Sequence, residues 1–222
     1  MQWSLRYLPL IFALCFMSIL LGLRGMSFRR RYGHSPFRFP RWGDMSAAAF
    51  LSRMLVVCLA AIVLLGAAAA LSPELLDQLD PLYRFRGPAL LAAGGLLMSI
   101  GAVMVWWAQH DMGEAWRVGV DRGERTRLIT HGLFRFCRNP IYLGLQVGLW
   151  GFLGLVPSYF TMTLLAVATV LFQVQVRLEE SHLVSQHGEP YADYCRRVGR
   201  FLPWTGRWAT WKAGHSTDRH AP

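Results

Sequence analysis

The chain has 222 residues, of which 54% are hydrophobic and 16% are charged, with a formal net charge of +10 and a mean hydropathy of +0.29. A soluble domain usually carries about a quarter charged residues, and here the apolar residues form long blocks, so the composition excludes an ordinary soluble protein. The positive charge lies in short loops between apolar blocks, as in membrane proteins, which argues against nucleic-acid binding. The sequence therefore predicts an all-α integral membrane protein with about five transmembrane helices.

The first apolar block runs from Tyr7 to Leu23 and precedes a loop rich in arginine. No small-residue cleavage site follows the block, so we expect a retained span rather than a secretory signal peptide. Residues 24–45 contain six arginines and one acid, Asp44. This bias predicts a cytoplasmic loop that can contact anionic lipid headgroups, and an N-terminus on the outer side.

The second and third spans are predicted at residues 47–71 and 88–107. The loop between them carries three acids and two arginines, which suits the outer side of the membrane. Pro88 fits the first turn of a helix, because its missing N–H needs no partner there. Trp106 and Trp107 mark the return of the third span to the interface.

Two further blocks, residues 141–155 and 158–176, meet at Pro157 and predict a helical hairpin. The first arm is short for a full span. The tail from Arg177 onward carries seven basic residues, so we expect it in the cytoplasm. Arginine greatly outnumbers lysine, as in GC-rich bacterial genomes, and the expected location is a bacterial inner membrane.

The chain is predicted to have three regions. Residues 1–108 form an N-terminal transmembrane scaffold of about three spans, residues 109–206 carry the polar motifs and the hairpin, and residues 207–222 form a flexible tail. The four cysteines and the histidines show no metal-ligand spacing, so we predict free thiols and no metal site.

The first polar motif is Arg-Asn-Pro-Ile-Tyr-Leu-Gly at residues 138–144. Pro140 predicts a helix start, whose free amides and positive dipole end suit a carboxylate or phosphate. Arg117, Arg135 and Arg138 are candidates for bidentate anion binding, although the ordinary excess of cytoplasmic arginine explains them as well.

Three glycines follow this motif at spacings of four and three residues: Gly144, Gly148 and Gly151. They predict a groove along one face of the helix. The groove admits either a neighbouring helix or a ligand, and helix packing is the favoured interpretation.

Glu179 and Glu180 lie beside Arg177, where the last span leaves the membrane. One interpretation is an ordinary interfacial charge cluster, but two adjacent acids on a basic side also suit a functional role. Adjacent helical residues point about 100° apart, so only one carboxylate is expected to face a site. That carboxylate would hold ribose hydroxyls, offset a cationic ligand or act as a base.

From about Met112 to Pro203 the chain resembles the isoprenylcysteine carboxyl methyltransferase family, which is related to the membrane phospholipid methyltransferases. A tryptophan-arginine element, an Arg-x-Pro-x-Tyr-x-Gly element, a hairpin, a Glu-Glu pair and a tyrosine element occur in order. The residues that carry the resemblance are Gly113 to Arg117, Arg138, Pro140, Tyr142, Gly144, Glu179, Glu180, Gly188, Tyr191, Tyr194, Arg200 and Pro203.

The resemblance implies a methyltransferase that uses S-adenosylmethionine and takes its acceptor from the membrane. The acceptor would be the carboxylate of an isoprenyl-type substrate or a lipid amine, and the partners would be membrane lipids and lipophilic or lipidated substrates. The implied cofactor-binding residues are Trp116, Arg117, Arg138, Asn139, Pro140, Tyr142, Leu143, Gly144, Glu179, Glu180 and Tyr191. Of these, the implied catalytic residues are Arg138, Glu179 and Glu180.

Two positions depart from the family pattern. Asn139 replaces the family histidine, and an amide cannot become cationic, so a role that needs imidazole is not available here. His187 stands where the family has an aromatic residue before its glycine.

Two other functions fit parts of the sequence. An NADPH-dependent sterol-type reductase shares the Pro-x-Tyr-x-Gly element, but that group has Asn and Glu where this chain has Ile141 and Leu145. A non-enzymatic membrane scaffold would bind no cofactor and would use the glycine groove to hold a partner helix.

Overall fold

The computed structural model describes residues 5–33, 35, 44–116 and 127–208, and this part of the chain is helical, without a named β-strand. The all-α prediction is confirmed. The helices in chain order are α1 (Leu8–Met17), a π-helical segment (Ser18–Leu23), α2 (Arg24–Tyr32), α3 (Ala47–Leu71), α4 (Pro73–Leu79), α5 (Pro88–Met112), α6 (Pro140–Leu155), α7 (Tyr159–His187) and α8 (Glu189–Arg197). Short 3-10 turns occupy Pro81–Phe85, Gly113–Ala115 and Gly132–Arg135.

Within the described residues, four stretches are long and apolar enough to cross a membrane: Leu8–Tyr32, Ala47–Leu71, Pro88–Ala115 and Tyr159–His187. The first of them joins α1, the π-helical segment and α2 into one continuous helix. Helix α6 is apolar but has only 16 residues. The prediction of about five spans, one of them short, is confirmed, and the architecture is that of a multi-pass membrane protein.

Three helices continue beyond their predicted ends. The predictions stopped at Leu23, Trp107 and Val176, whereas the helices run on to Tyr32, Met112 and His187. Charged residues end an apolar block, but they do not end a helix. Each of these helices ends instead at a glycine with positive φ, a backbone conformation that side chains with a Cβ rarely adopt: Gly33 (76°), Gly113 (54°) and Gly188 (58°).

Helix α6 packs most extensively against α5, through glycines on both helices. A Cβ added to Gly101 of α5 would lie 2.5 Å from the carbonyl oxygen of Gly144, and one added to Gly151 would lie 2.5 Å from the amide nitrogen of Met98. The two backbones therefore touch, which confirms helix packing as the role of this glycine face. Gly148 contacts Gly101 of α5 through its backbone and also faces α1, since a Cβ added to Gly148 would lie 2.6 Å from the ring of Phe16.

The predicted hairpin joins α6 to α7 through residues 156–158. The hydroxyl of Ser158 caps α7 by accepting from the amide of Thr161 at 3.0 Å. The carboxylate of Asp80 accepts from the amides of Tyr159 at 2.5 Å and Leu82 at 3.0 Å, which ties the hairpin turn to the loop after α4. The turn thus places the first residues of α6 at the same end of the bundle as the last residues of α5 and α7.

Candidate functional site

A cavity of about 620 Å³ lies between α1, α3, α5, α6 and α7. Its wall is mainly apolar, with side chains such as Phe16, Leu59 and Phe172. Its polar lining comes mostly from one end of the bundle: the last turn of α5, the residues before and within the first turn of α6, and the C-terminal third of α7. These polar residues are Gln109, Arg138, Asn139, Tyr142, Gln175 and Glu179.

Tyr142, Gln175 and Glu179 form one hydrogen-bonded cluster on this lining. The hydroxyl of Tyr142 donates to Oε1 of Glu179 at 2.5 Å, and Nε2 of Gln175 donates to the same oxygen at 3.0 Å. Both donors are neutral, and no arginine or lysine bond to Glu179 is found among the described residues. The cavity therefore has a carboxylate in its wall that two neutral groups orient.

Glu180 has quite different partners. Its Oε1 accepts from Nε of Arg138 at 3.0 Å and from Nδ2 of Asn139 at 3.2 Å. Its Oε2 accepts from Nε and Nη2 of Arg200 at 3.0 and 2.7 Å. Glu180 is 3% exposed and does not line the cavity. Two guanidinium groups thus neutralise this buried carboxylate and fill its hydrogen-bonding positions.

Arg138 connects this ion cluster to the segment that follows α8. Besides Glu180, its guanidinium donates to the carbonyl oxygens of Cys195 at 3.0 Å, Val198 at 2.8 Å and Gly206 at 3.1 Å. It also lies over the ring of Trp208, 6.0 Å from the centroid. Four of its five N–H groups therefore have partners within the protein. The side chain is 1% exposed.

Asn139 supplies two hydrogen-bond donors from the position that holds histidine in the family. Its Nδ2 donates to Glu180 at 3.2 Å and to the carbonyl oxygen of Arg200 at 3.1 Å. The side chain makes no capping bond to the first turn of α6. The amide therefore links the ion cluster to the chain after α8 and leaves the start of α6 without a side-chain cap.

The remaining predicted site residues do not all lie on the cavity wall. Trp116 and Pro140 line the cavity, and Trp116 is 2% exposed against Phe28. Gly144 packs on α5, and Leu143 is not part of the cavity wall. Arg117 lies outside the described residues.

Tyr191 lies in a second buried cluster and is not part of the cavity wall. It packs against Tyr194 and Trp208, and burial raises its pKa. Burial also raises the pKa of the Cys195 thiol beside it to about 11. Trp208, which falls within the predicted flexible tail, is held here by a bond from its amide to the carbonyl oxygen of Cys195 at 3.2 Å. Residues 209–222 of that tail lie outside the described residues.

Sequence reasoning missed Gln109 and Gln175. Both are buried polar residues in apolar helices, and that is the signal that was available, because a polar side chain at membrane depth is a functional candidate by default. Gln175 also lies four residues before Glu179, so both fall on the same face of α7.

Comparison with known proteins finds similarity over the part of the chain that lines the cavity. A family model described as phospholipid methyltransferase matches residues 89–190, from α5 to the start of α8. The matched segment supplies most of the polar lining of the cavity. Over residues 89–190 the chain is therefore similar to the phospholipid methyltransferase family. The resemblance inferred from the motifs is therefore confirmed, and the sterol-type reductase and the scaffold are not favoured.

Two curated relatives show how far the sequence similarity extends. The nickel-cobalt-cadmium resistance protein NccN of Alcaligenes xylosoxydans xylosoxydans is 32% identical over 116 residues, which cover 52% of this chain and 50% of that protein. Methanethiol S-methyltransferase 1 of Bradyrhizobium diazoefficiens is 35% identical over 78 residues, or 35% of this chain and 27% of that protein. The chain thus spans half or less of the curated relatives that it matches. In the part of the chain that the structure describes, no three His, Cys, Asp or Glu residues are grouped to hold a metal ion.

A solved structure shares the fold of this chain. It is the eukaryotic intramembrane Ras methyltransferase ICMT, isoprenylcysteine carboxyl methyltransferase. The TM-score is 0.57 at 18% identity, and the match covers 90% of this chain and 69% of that one. At this identity the likeness concerns the arrangement of helices.

Proposed function

We propose that the protein is an integral membrane methyltransferase that uses S-adenosylmethionine and acts on a lipophilic acceptor. The observation that carries the proposal is the cavity, which combines a long apolar wall with the Tyr142–Gln175–Glu179 cluster. The match of residues 89–190 to the phospholipid methyltransferase model supports the reaction type.

The chemistry of the polar lining fits S-adenosylmethionine. The cofactor carries an ammonium, a sulfonium and ribose hydroxyls, all of which suit a carboxylate that has only neutral partners, as Glu179 does. Its carboxylate suits the start of α6, where Asn139 makes no side-chain cap. Tyr142, Gln175 and Glu179 would hold the cationic part, and Trp116 would provide an aromatic wall.

The bound cofactor supplies a methyl group on a positively charged sulfur, so transfer needs no covalent intermediate on the protein. The protein would orient the acceptor towards that methyl group and exclude water, effects that contribute roughly 7–11 kcal/mol in well-oriented systems. The apolar side chains of α1 and α3 would hold the hydrocarbon part of the acceptor. Glu179 would take up a proton when the acceptor releases one.

Equilibrium binding to purified protein in detergent tests the proposal. We expect S-adenosylmethionine to give saturable heat in calorimetry and NADPH to give none. Glu179→Gln keeps the size of the side chain but removes the charge, so it should weaken the affinity about tenfold or more.

Glu189→Gln is the matched control, since Glu189 is exposed at the start of α8 and pairs with Arg196. It should bind as the unchanged protein does. Absence of binding by a folded protein, or unchanged affinity in Glu179→Gln, would contradict the proposal.

A further inference from the structure

The cavity extends from its polar end into the apolar interior of the bundle, along five helices. Helices α5 and α6 show the direction, because Gln109 and Tyr142 lie at the polar end and the wall on these helices ends at Met98 and Phe152. On each helix one lining residue lies farthest from the polar end, and all five are apolar: Ala13 of α1, Val63 of α3, Met98 of α5, Phe152 of α6 and Ala168 of α7. These five residues form the floor of the cavity.

Backbone contacts between helices close the bundle beyond the floor. A Cβ added to Gly66 of α3 would lie 3.2 Å from Cα of Leu10 in α1. A Cβ added to Gly94 of α5 would lie 2.7 Å from the carbonyl oxygen of Gly151 and 2.9 Å from the carbonyl carbon of Gly154 in α6. Helices whose backbones touch leave no room for a hydrocarbon chain between them, so the cavity ends inside the bundle. Buried apolar side chains of the core also lie beyond the floor: Leu91, Leu155, Val156 and Leu165.

The distance from the polar end to the floor is close to the depth of one membrane leaflet. Residues 98–109 of α5 and residues 168–179 of α7 each rise about 16 Å, at about 1.5 Å per helical residue. The hydrocarbon core of a bilayer is about 30 Å thick, so one leaflet contributes about 15 Å. An extended chain advances about 1.2 Å per bond, as an extended peptide backbone does, so about 13 carbon atoms span the distance to the floor.

The volume of the cavity limits how many chains it can hold. A water molecule has one non-hydrogen atom and occupies about 30 Å³ in the liquid, so a cavity of about 620 Å³ holds about 20 non-hydrogen atoms. The methyl-bearing end of the cofactor would take up part of this space. A single hydrocarbon chain with its reacting group fits in the rest, whereas a phospholipid with two long acyl chains has far more atoms than the cavity can hold.

We infer that the cavity binds an acceptor with one hydrocarbon chain, and that its floor limits this chain to about 13 carbon atoms. Ala168 and Met98 are the specificity-determining residues. The small side chain of Ala168 leaves the outer part of the cavity open, and the side chain of Met98 ends it. The inference rests on the proposed function, and it defines the form of the lipophilic acceptor: a single chain of limited length rather than the two long chains of a phospholipid.

A series of straight-chain primary alcohols measures the depth of the cavity. Alcohols from about 6 to about 18 carbons, on both sides of the expected limit, are titrated into the purified protein in detergent, with protein-free micelles as the blank. Each added methylene should raise the affinity for the free alcohol about fourfold until the chain reaches the floor. Carbons beyond about the thirteenth should raise it no further. An affinity that rises through the whole series, or a protein that binds none of the alcohols, would overturn the inference.

Ala168→Leu tests the floor from α7. The larger side chain takes up cavity space, so the longest alcohol that still gains affinity should become shorter by about three carbons, the number that leucine adds. Ala166→Leu is the matched control, because Ala166 lies on the same helix but is exposed and does not line the cavity. It should keep the limit of the unchanged protein. A folded Ala168→Leu protein with the same limit as Ala166→Leu would overturn the assignment.

Met98→Ala tests the floor from α5 in the opposite direction, and it keeps the test decisive if Ala168→Leu does not fold. The substitution removes about three non-hydrogen atoms from the floor, so the limit should become longer by about three carbons. Both variants should bind S-adenosylmethionine as the unchanged protein does, because the floor lies about 16 Å from the polar end. An unchanged or shorter limit in Met98→Ala, with circular dichroism of a folded protein, would contradict the assignment.

The products of methyl transfer test the number of chains, and they separate the two proposals. Purified protein, S-adenosylmethionine with a labelled methyl group and bacterial lipid extract should give labelled products that carry one hydrocarbon chain, as counted by tandem mass spectrometry. If the main labelled product is a phospholipid with two long chains, the proposed function stands and the inference from the floor is wrong. If S-adenosylmethionine does not bind at all, the proposed function itself is wrong, whatever limit the alcohols show.

Discussion

Glu179 and Glu180 are neighbours in sequence, but their carboxylates have opposite surroundings. Glu179 is oriented on the cavity wall by Tyr142 and Gln175, whereas Glu180 is buried between Arg138 and Arg200. The sequence predicted that only one of the two would face a site, since adjacent residues point apart on a helix. Which one it is depends on long-range partners, such as Arg200, that helical periodicity does not reveal.

Loss of the Glu180 charge should destabilise the protein rather than change the cavity directly. Glu180→Gln leaves two buried or partly buried guanidinium groups without their counter-ion, and breaking a buried pair costs about 3–5 kcal/mol. We expect a clearly lower apparent melting temperature in detergent, measured by tryptophan fluorescence. Glu179→Gln should melt almost as the unchanged protein does, because Tyr142 and Gln175 can still bond the amide.

An exposed ion pair provides the control for this prediction. Arg196 pairs with Glu189 and Asp193 at the surface of α8. Arg196→Gln should therefore change the melting temperature little. A melting temperature in Glu180→Gln that matches the control would show that the ion cluster does not hold the region after α8.

At the scale of elements, the order and type of helices could be predicted from apolar blocks, but their ends and neighbours could not. Hydropathy reports where a segment meets lipid, and a helix continues past that point until a residue such as Gly113 or Gly188 reverses the chain. The extension of α5 and α7 matters, because it carries Gln109 and Glu179 as helical residues. The preference of α6 for α5 over its hairpin partner arises from backbone contact at Gly101 and Gly144.

The α5–α6 contact gives a second stability prediction. Gly101→Ala places a Cβ 2.5 Å from a backbone oxygen of α6, which the helices can relieve only by moving apart. Such overpacking costs about 1–3 kcal/mol. We expect a lower melting temperature together with weaker cofactor binding, since the start of α6 lines the cavity.

Gly22→Ala is the matched control, since nothing lies within 4 Å of a Cβ at that position. It should melt at the temperature of the unchanged protein. If Gly101→Ala melts at the same temperature as Gly22→Ala, the backbones of α5 and α6 do not make the close contact described here.

For the whole molecule, the asymmetry of charge gives the predicted orientation. Six arginines fall in residues 24–45, and three acids fall between α3 and α5. The polar end of the cavity lies at the end of the bundle where α5 and α7 finish, which this orientation puts on the cytoplasmic side, where S-adenosylmethionine is available. The positions of the polar residues in three dimensions followed from the fold and were not evident from charge.

Labelling of single cysteines in intact cells tests this orientation. Gln78→Cys in α4 should react with a membrane-impermeant maleimide from outside, and Ser181→Cys near the end of α7 should react only after permeabilisation. Both side chains are exposed in the structure. The reverse pattern would place the cavity mouth on the outer side and contradict the orientation.

The central claim is that Glu179 and its neighbours form a site where a methyl donor meets a lipid-borne acceptor. The most direct measurement incubates the purified protein with S-adenosylmethionine carrying an isotope-labelled methyl group and bacterial lipid extract, and then identifies labelled products by mass spectrometry. We predict a labelled lipophilic product with the unchanged protein and with Glu189→Gln. With Glu179→Gln the amount of labelled product should fall about tenfold or more. A folded protein that labels no product, or equal labelling by Glu179→Gln, would contradict the account.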